Sequence, residues 1–182
     1  MTDSSRGYTP VPTRPTIAPA PSPQAIGAQF SHPGRQVVTL SGDDGVSMLL
    51  GDLLSLRQLN LPVKMVVFNN GSLNFVELEM KATGFLSHAT ELVNPDFAKI
   101  ADGTEILGLH VEDPEQVRPA MQQAFAHDGP ALVDIAANRQ ELAMPPSLKL
   151  DQIVDSNLYM VKAILNGRGD EIVELARTNL FR

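Results

Sequence analysis

Two short polar stretches contain the residues whose types and spacing best suit chemistry. Asp43 and Asp44 stand between two glycines directly after the apolar run "VVTL", and "NNGS" (69–72) follows the apolar run "VKMVVF". Carboxylate, amide and carbonyl oxygens are the ligands that Mg²⁺ prefers, often shared with phosphate oxygens. Glycines let backbone amides approach a phosphate closely. Together the stretches predict a site for a diphosphate with magnesium, whereas "GDDG" alone is more typical of a turn that caps a helix.

A βαβ unit would bring the two stretches together. The β-branched run "QVVTL" (36–40) predicts a strand, the apolar periodicity of 46–60 predicts a helix, and "VKMVVF" (63–68) predicts a second strand. Parallel strands present the loops that follow them at one carboxyl edge, where such sheets bind ligands. The helix start at Gly45 to Ser47 should face the same crevice, with its free amides favouring an anion.

The alternation of elements continues along the chain. Asn94-Pro95 predicts the N-cap and first residue of a helix, before the strand "EILGLHV". Asp113-Pro114 predicts another helix start, before the strand "PALVDIAA". The pattern predicts an α/β domain with a mainly parallel sheet and helices on both faces.

Composition divides the chain into three parts. Six prolines within "PVPTRPTIAPAPSP" predict a mostly disordered leader over 1–34, in which only 23–30 suggests the end of a helix. The α/β domain is assigned to 35–147. A helical tail is assigned to 148–182, in two pieces separated by Gly167 and Gly169.

Charge and composition exclude several classes of protein. The formal net charge of −7 argues against a nucleic-acid partner, and the absence of cysteine excludes disulfide scaffolds and thiolate metal sites. No secretory signal or membrane-spanning run is evident, so a cytoplasmic location is expected. The four histidines share no ligand spacing and are expected at the surface or in caps: His32, His88, His110 and His127.

The motif pair resembles a known cofactor signature. "GDD", followed 27 residues after Asp43 by Asn70, is similar to the GDG and NN motifs of thiamine diphosphate-dependent enzymes. The stretches "LGDLLSLRQLNLPVKMVVFNN", "VELEMKATGFL", "ELAMPPSLKL" and "ILNGRGDEIVELARTNLFR" resemble the carboxyl-terminal, diphosphate-binding domain of pyruvate dehydrogenase (quinone), or pyruvate oxidase. The resemblance covers roughly residues 23–182.

The resemblance implies a role for each matching residue. Asp43, Asn70 and the backbone carbonyl of Ser72 would bind Mg²⁺, and no residue of this chain is implied as catalytic. The positions implied around thiamine diphosphate are Gly42, Asp43, Asp44, Gly45, Asn70, Gly71, Ser72, Leu73, Asn74 and Phe75. The complete family enzymes also bind FAD and convert pyruvate to acetate and CO₂ by oxidative decarboxylation.

The sequence departs from the family at two positions of the site. Asp44 stands in place of the last glycine of GDG, where a carboxylate would oppose diphosphate binding. Asn74 stands in place of another glycine, a milder change because Asn tolerates left-handed backbone.

The pyrimidine-binding domain, whose glutamate activates the cofactor, and the FAD domain are not evident in these 182 residues. We therefore expect a truncated fragment with an exposed sheet face or edge that cannot turn over pyruvate alone. Acetate or CO₂ formation by the purified chain with cofactor, Mg²⁺ and an acceptor dye would contradict this.

Two functions remain open. The first is the thiamine diphosphate-binding domain of a pyruvate oxidase-like enzyme, and the second is a noncatalytic, degenerate interaction protein. Either would form a homo-oligomer or associate with full-length subunits. The last helix has one apolar side, and in quinone-linked relatives the matching tail contacts the membrane; docking onto its own domain is the alternative.

Overall fold

A computed structural model describes residues 21–139 and 150–180, and its centre is a sheet of four parallel strands. The strands are β1 (Val38–Gly42), β2 (Lys64–Asn69), β3 (Leu107–Val111) and β4 (Ala131–Ala136), in the order β1-β2-β4-β3. All three pairings are parallel, and β2 contacts both β1 and β4. The predicted α/β class with a parallel sheet is confirmed.

Eight helices are assigned within these residues. They are α1 (Pro21–Ser31), α2 (Asp43–Met48), α3 (Asp52–Gln58), α4 (Asn74–Ala82), α5 (Phe97–Gly103), α6 (Pro114–Ala126), α7 (Leu150–Leu165) and α8 (Gly169–Leu180). Asp113 is the N-cap of α6 as predicted, because its side chain accepts a hydrogen bond from the backbone amide of Glu115 at 2.9 Å.

The core lies on both faces of the sheet. On one face, alternate residues of β2 and β4 pack with apolar residues of α1, α2, α3 and α5, including Met65, Leu132 and Phe97. On the other face, Val133 and Val111 pack against Ala120 and Ala124 of α6. The period-2 alternation of the strands therefore separates two apolar clusters, as it must in a sheet covered by helices on both sides.

The region of the sheet around β1 is less well covered. β1 is an edge strand, and Val38 and Phe68 are 40% and 46% exposed. The register places Val38 opposite Lys64, and Phe68 four residues further along β2, so both belong to the same face as Val66. Within the described residues α6 contacts β3 and β4 on this face, leaving these two side chains open to solvent.

The helices differ from the sequence-based predictions in three ways. The helix predicted over 46–60 is two short helices, α2 and α3, interrupted at Leu49–Gly51. Helix α4 was not predicted. Asn94 and Pro95 precede α5 rather than begin it, because Asp96 is the N-cap and accepts from the backbone amide of Lys99 at 3.0 Å.

The structure describes part of the predicted leader and most of the predicted tail. Helix α1 lies inside the segment 1–34 assigned to the leader, at the stretch expected to end a helix, and Ala25 is buried against the core. Residues 1–20, 140–149 and 181–182 lie outside the described part of the chain, and with them most of "ELAMPPSLKL" (141–150). The tail forms two helices, α7 and α8, and α7 packs against α4.

Candidate functional site

The carboxyl edge of β1 and β2 forms a polar crevice. Gly42, the last residue of β1, pairs with Phe68, and β2 ends one residue later at Asn69, so Asp43 and Asn70 follow the two strands at the same edge of the sheet. The loops that contain "GDDG" and "NNGS" therefore emerge at one edge, as the βαβ prediction required.

Asp43 connects the two loops directly. Its side chain is buried, with a relative exposure of 2%. One carboxylate oxygen, Oδ2, accepts hydrogen bonds from the backbone amide of Gly71 at 2.8 Å and from Nδ2 of Asn94 at 2.5 Å. The other, Oδ1, accepts from the amide of Asp44 at 3.1 Å. Because Oδ2 already accepts from two donors, Oδ1 is the oxygen with more capacity left for a cation.

The second loop is folded tightly around Asn70 and Ser72. Oδ1 of Asn70 accepts from the backbone amide of Ser72 at 3.0 Å. Gly71 has a φ of +65°, a left-handed conformation in which a side chain would be strained. The backbone of Gly71 accepts from Leu92, and Ser72 forms a bridge with Glu91. The positions of Asn70 and Ser72 are thus fixed by neighbouring backbone.

The buried carboxylate of Glu77 fixes the side chain of Ser72 by a hydrogen bond. Oε2 of Glu77 accepts from Oγ of Ser72 at 2.7 Å and from Nη2 of Arg139 at 3.0 Å, and Oε1 pairs with Nζ of Lys81 at 2.7 Å. Burial alone would raise the pKa of Glu77, but hydrogen bonds from Lys81, Ser72 and Arg139 and the charge of Lys81 lower it to about 2. Glu77 therefore stays ionised and holds the loop onto α4.

The donor set fits a magnesium ion. Asp43 offers a carboxylate, Asn70 an amide oxygen and Ser72 a backbone carbonyl, all hard oxygen ligands of the kind that Mg²⁺ binds. Asp43 and the 70–72 loop are joined by a hydrogen bond from Gly71, so the three donors belong to one structural unit. Water and phosphate oxygens would complete the octahedral coordination.

Asp44 is half-buried beside Gly42. Its Oδ1 lies 2.6 Å from the place that a Cβ on Gly42 would take, so the carboxylate folds back over Gly42. Both acids lie in the first turn of α2, which begins at Asp43 and not at Gly45. Gly45 is buried inside this helix, and Oγ of Ser47 donates to the backbone carbonyl of Asp43 at 2.7 Å. The predicted helix start at Gly45 to Ser47 was therefore placed two residues too late.

The last predicted positions begin helix α4. Leu73 is its N-cap and Asn74 its first residue, so Asn74 does not need the left-handed backbone that the sequence comparison suggested. Phe75 is 65% exposed at the start of this helix. It is available to contact a ligand or another protein surface.

Sequence reasoning missed a network of amide side chains behind Asp43. Nδ2 of Asn94 donates both to Asp43 and to Oδ1 of Asn69 at 2.9 Å, and Nδ2 of Asn69 donates to Oδ1 of Asp134 at 3.1 Å. Asp134 is fully buried in β4. Its position as a lone acid inside the apolar run "PALVDIAA" was the signal that could have drawn attention to it.

One histidine, His110, lies at the surface as expected and also contacts two acids. Nδ1 of His110 lies 3.2 Å from Oδ2 of Asp134, and Nε2 lies 3.4 Å from Oε1 of Glu112. Burial would lower the pKa of His110, but hydrogen bonds with Asp134 and Glu112 and the charges of Asp134 and Asp96 raise it. Of the other histidines, His127 is the C-cap of α6.

Among the residues that the structure describes, no helix has both the length and the hydrophobicity needed to cross a bilayer.

Comparisons with known proteins find similarity to thiamine pyrophosphate enzymes. The family described as "Thiamine pyrophosphate enzyme, C-terminal TPP binding domain" matches residues 20–135. The chain is 35% identical over 139 residues to pyruvate oxidase of Lactiplantibacillus plantarum, covering 74% of this chain and 23% of that protein. It is also 35% identical over 124 residues to the mitochondrial acetolactate synthase catalytic subunit of Aspergillus candidus, covering 68% of this chain and 18% of that protein.

A solved structure of another protein is also similar to this chain. The thiamine diphosphate-dependent 4-hydroxybenzoylformate decarboxylase of Rhodococcus jostii matches with a TM-score of 0.59 and 31% identity, covering 64% of this chain and 22% of that one. The chain therefore spans less than a quarter of the length of these three relatives.

Proposed function

Because the chain belongs to the thiamine pyrophosphate enzyme family, through the family's C-terminal cofactor-binding domain, we propose that its crevice binds the diphosphate of the cofactor together with Mg²⁺. The observation that carries this proposal is the hydrogen bond from the amide of Gly71 to the buried carboxylate of Asp43. It joins the two motif loops into one set of oxygen donors.

Each residue has a defined part in this proposal. Asp43, Asn70 and the carbonyl of Ser72 would hold the metal, while Asn94 orients the Asp43 carboxylate from behind. Gly42, Asp44, Gly45 and the loop from Gly71 to Phe75 would surround the diphosphate and the thiazolium ring. When bound, thiamine diphosphate supplies the electron sink needed to decarboxylate 2-oxoacids.

For the whole enzyme we propose a pyruvate oxidase-like role, the conversion of pyruvate to acetate and CO₂ with FAD bound elsewhere in the assembly. The 35% identity to a pyruvate oxidase supports it, although acetolactate synthases are matched at similar identity. Acetolactate formation, with no acetate, by the chain assembled with full-length subunits would contradict the proposal.

Thermal unfolding of the purified chain tests cofactor binding. Thiamine diphosphate with Mg²⁺ should raise the melting temperature, because a ligand at 100 times its Kd adds about 2.7 kcal/mol to the free energy of unfolding. Asp43→Asn, which keeps the size of the side chain but removes its charge, should abolish the shift. Asp170→Asn, at an exposed position of α8, should retain it. An equal shift in the Asp43→Asn variant would contradict the proposed site.

We also propose a cytoplasmic location with peripheral membrane contact through α8. Val173 on this helix is 68% exposed, which supports such contact. Arg168 and Tyr159 both bind Glu171, however, and hold the base of α8 against α7. Flotation with lipid vesicles tests the contact: the chain should float with them, and Val173→Asp should not. If the unchanged chain does not float, the remaining interpretation is that the tail packs against its own domain.

A further inference from the structure

The structure assigns a second cation site, for a divalent transition metal such as Zn²⁺, to Asp96, His110 and Asp134. One ligand atom from each of these residues lies within 4.8 Å of the others. The site is separate from the proposed magnesium ligands, since it uses none of Asp43, Asn70 and Ser72.

The backbone brings the three residues together from three elements. His110 and Asp134 are register partners on the neighbouring strands β3 and β4, so their side chains leave the sheet on the same face. Asp96 is the N-cap of α5, which packs over that face. The close packing depends on Gly108, where an added Cβ would lie 2.0 Å from the carbonyl oxygen of Ala98.

The distances suit coordination. In a tetrahedral zinc site with bonds of about 2.0–2.2 Å, two ligand atoms lie roughly 3.3 Å apart. Nδ1 of His110 and Oδ2 of Asp134 lie 3.2 Å apart. The carboxylate of Asp96 lies within 4.8 Å of the other two ligand atoms and completes a set of three protein ligands with a fourth position open. A movement of at most about 1.5 Å would bring it to the spacing of a zinc site.

Each of the three proposed ligand residues also contacts a further polar group. Nδ2 of Asn69 donates to Oδ1 of Asp134 and so directs Oδ2 toward His110. Oε1 of Glu112 lies by Nε2 of His110 and would accept its proton while Nδ1 binds the metal. The backbone amide of Lys99 donates to Oδ1 of Asp96. Such outer hydrogen bonds are what fix the tautomer and orientation of metal ligands.

Charge and access also favour a cation. Asp134 is fully buried, and a nearby cation stabilises a buried carboxylate. Its partners are the neutral amide of Asn69 and the imidazole of His110, which is 37% exposed and opens the site to solvent. Lys99 pairs with Asp96, but its side chain is 83% exposed, so a metal would displace it at little cost. The imidazole selects a transition metal over Mg²⁺, which prefers oxygen alone.

Titration of the metal-free chain with Zn²⁺, and with Co²⁺ followed by its visible absorption, tests this site. His110→Gln and Asp96→Ser should each weaken Zn²⁺ binding at least tenfold, and Asp96→Ser preserves a residue that can cap α5. His88→Gln, at an exposed loop position, and Asp43→Asn should bind Zn²⁺ as the unchanged chain does.

The outcomes separate this site from the magnesium site. Loss of Zn²⁺ binding in the Asp96 and His110 variants alone, with their cofactor-induced thermal shift preserved, supports the inference. No Zn²⁺ binding, or binding that these two variants do not weaken, would overturn it. Equal weakening by His88→Gln or Asp43→Asn would place the metal elsewhere and also overturn it.

Discussion

At the scale of single residues, the adjacent acids of the first loop have different environments. Asp43 is buried and hydrogen-bonded to the second loop, whereas Asp44 is half-buried and folds over Gly42. We propose that the carboxylate of Asp44 would lie beside the bound diphosphate and repel it. On this proposal the extra acid lowers the affinity for the cofactor and is not one of its ligands.

Removing the charge of Asp44 should strengthen cofactor binding. We expect both Asp44→Gly and Asp44→Asn to lower the Kd for thiamine diphosphate with Mg²⁺ by about tenfold, equivalent to about 1.4 kcal/mol. Isothermal titration calorimetry measures the change. Because only Asp44→Asn keeps a side chain over Gly42, improvement in Asp44→Gly alone would identify bulk, not charge, as the cause. Should the unchanged chain show no binding and Asp44→Gly restore it, the noncatalytic alternative would be favoured.

Glu77 should make the free energy of unfolding depend on pH. Its pKa is about 2 in the folded chain and 4.5 when unperturbed, so its contribution is complete above about pH 4.5 and is lost as the pH falls toward 2. Glu77→Gln should lower the free energy of unfolding at pH 7 by about 3 kcal/mol, since Lys81 and Arg139 lose a buried partner.

Urea unfolding at several pH values measures both effects. Between pH 4.5 and 2 the Glu77→Gln variant should lose less stability than the unchanged chain. Glu174→Gln, on the exposed side of α8, is the control and should behave as the unchanged chain does. Equal pH dependence in the two variants would contradict the role given to Glu77.

At the scale of elements, the packing of α5 on β3 positions much of the polar network. Asn94 and Asp96 lie just before this helix and reach Asp43 and His110 respectively. The helix can approach only because Gly108 has no side chain facing Ala98. A small change at this contact should therefore affect both stability and the site.

Gly108→Ala should destabilise the chain by about 1–3 kcal/mol, because the new Cβ forces α5 away from the sheet. Gly103→Ala is a matched control: an added Cβ there meets nothing within 4 Å, and alanine should stabilise the helix by up to about 1 kcal/mol. Thermal unfolding of both variants measures the difference. Equal stability of the two variants would contradict the close packing of α5 on Gly108.

The strands and the motif loops could be predicted from sequence, and parts of the helical layer could not. Short apolar runs that alternate with helical segments located all four strands, and the motif spacing placed Asp43 beside the loop of Asn70. The division of α2 from α3 was missed because Leu49 and Leu50 continue an apolar periodicity across the break. Helix α4 was missed because Glu77 and Lys81, whose charges suggest a solvated segment, are buried and paired in the structure.

The contacts between distant residues were beyond sequence reasoning. His110, Asp134 and Asp96 come from three separate elements, so their spacing along the chain carries no ligand pattern. Asn94 preceding Pro95 is typical of a helix cap, and only the fold shows that its amide binds Asp43 instead.

At the scale of the whole molecule, the two faces of the sheet are covered unequally within the described residues. Val38 and Phe68 remain exposed beside the edge strand β1, which agrees with the expected open sheet face or edge. Apolar side chains beside a free strand edge favour association with another chain. We propose that this surface contributes to the oligomer expected from the sequence.

Replacing these side chains should weaken self-association. The double variant Val38→Thr, Phe68→Thr keeps β propensity but removes apolar area, and sedimentation velocity should show a shift toward monomer at equal concentration. Val93→Thr, at a fully exposed loop position, should leave the distribution unchanged. An unchanged distribution in the double variant would place the interface elsewhere.

The strand order also sets the sequence of events during translation. β2 can pair with β1 as soon as it leaves the ribosome, but its other edge must wait for β4, which begins at Ala131. At roughly 5–20 residues per second, the apolar edge of "KMVVF" stays open for several seconds. β3 is synthesised in that interval and yet has its place beside β4, so the nascent chain must avoid pairing β3 with the open edge of β2. Its dependence on chaperones should therefore be greatest just before β4 emerges.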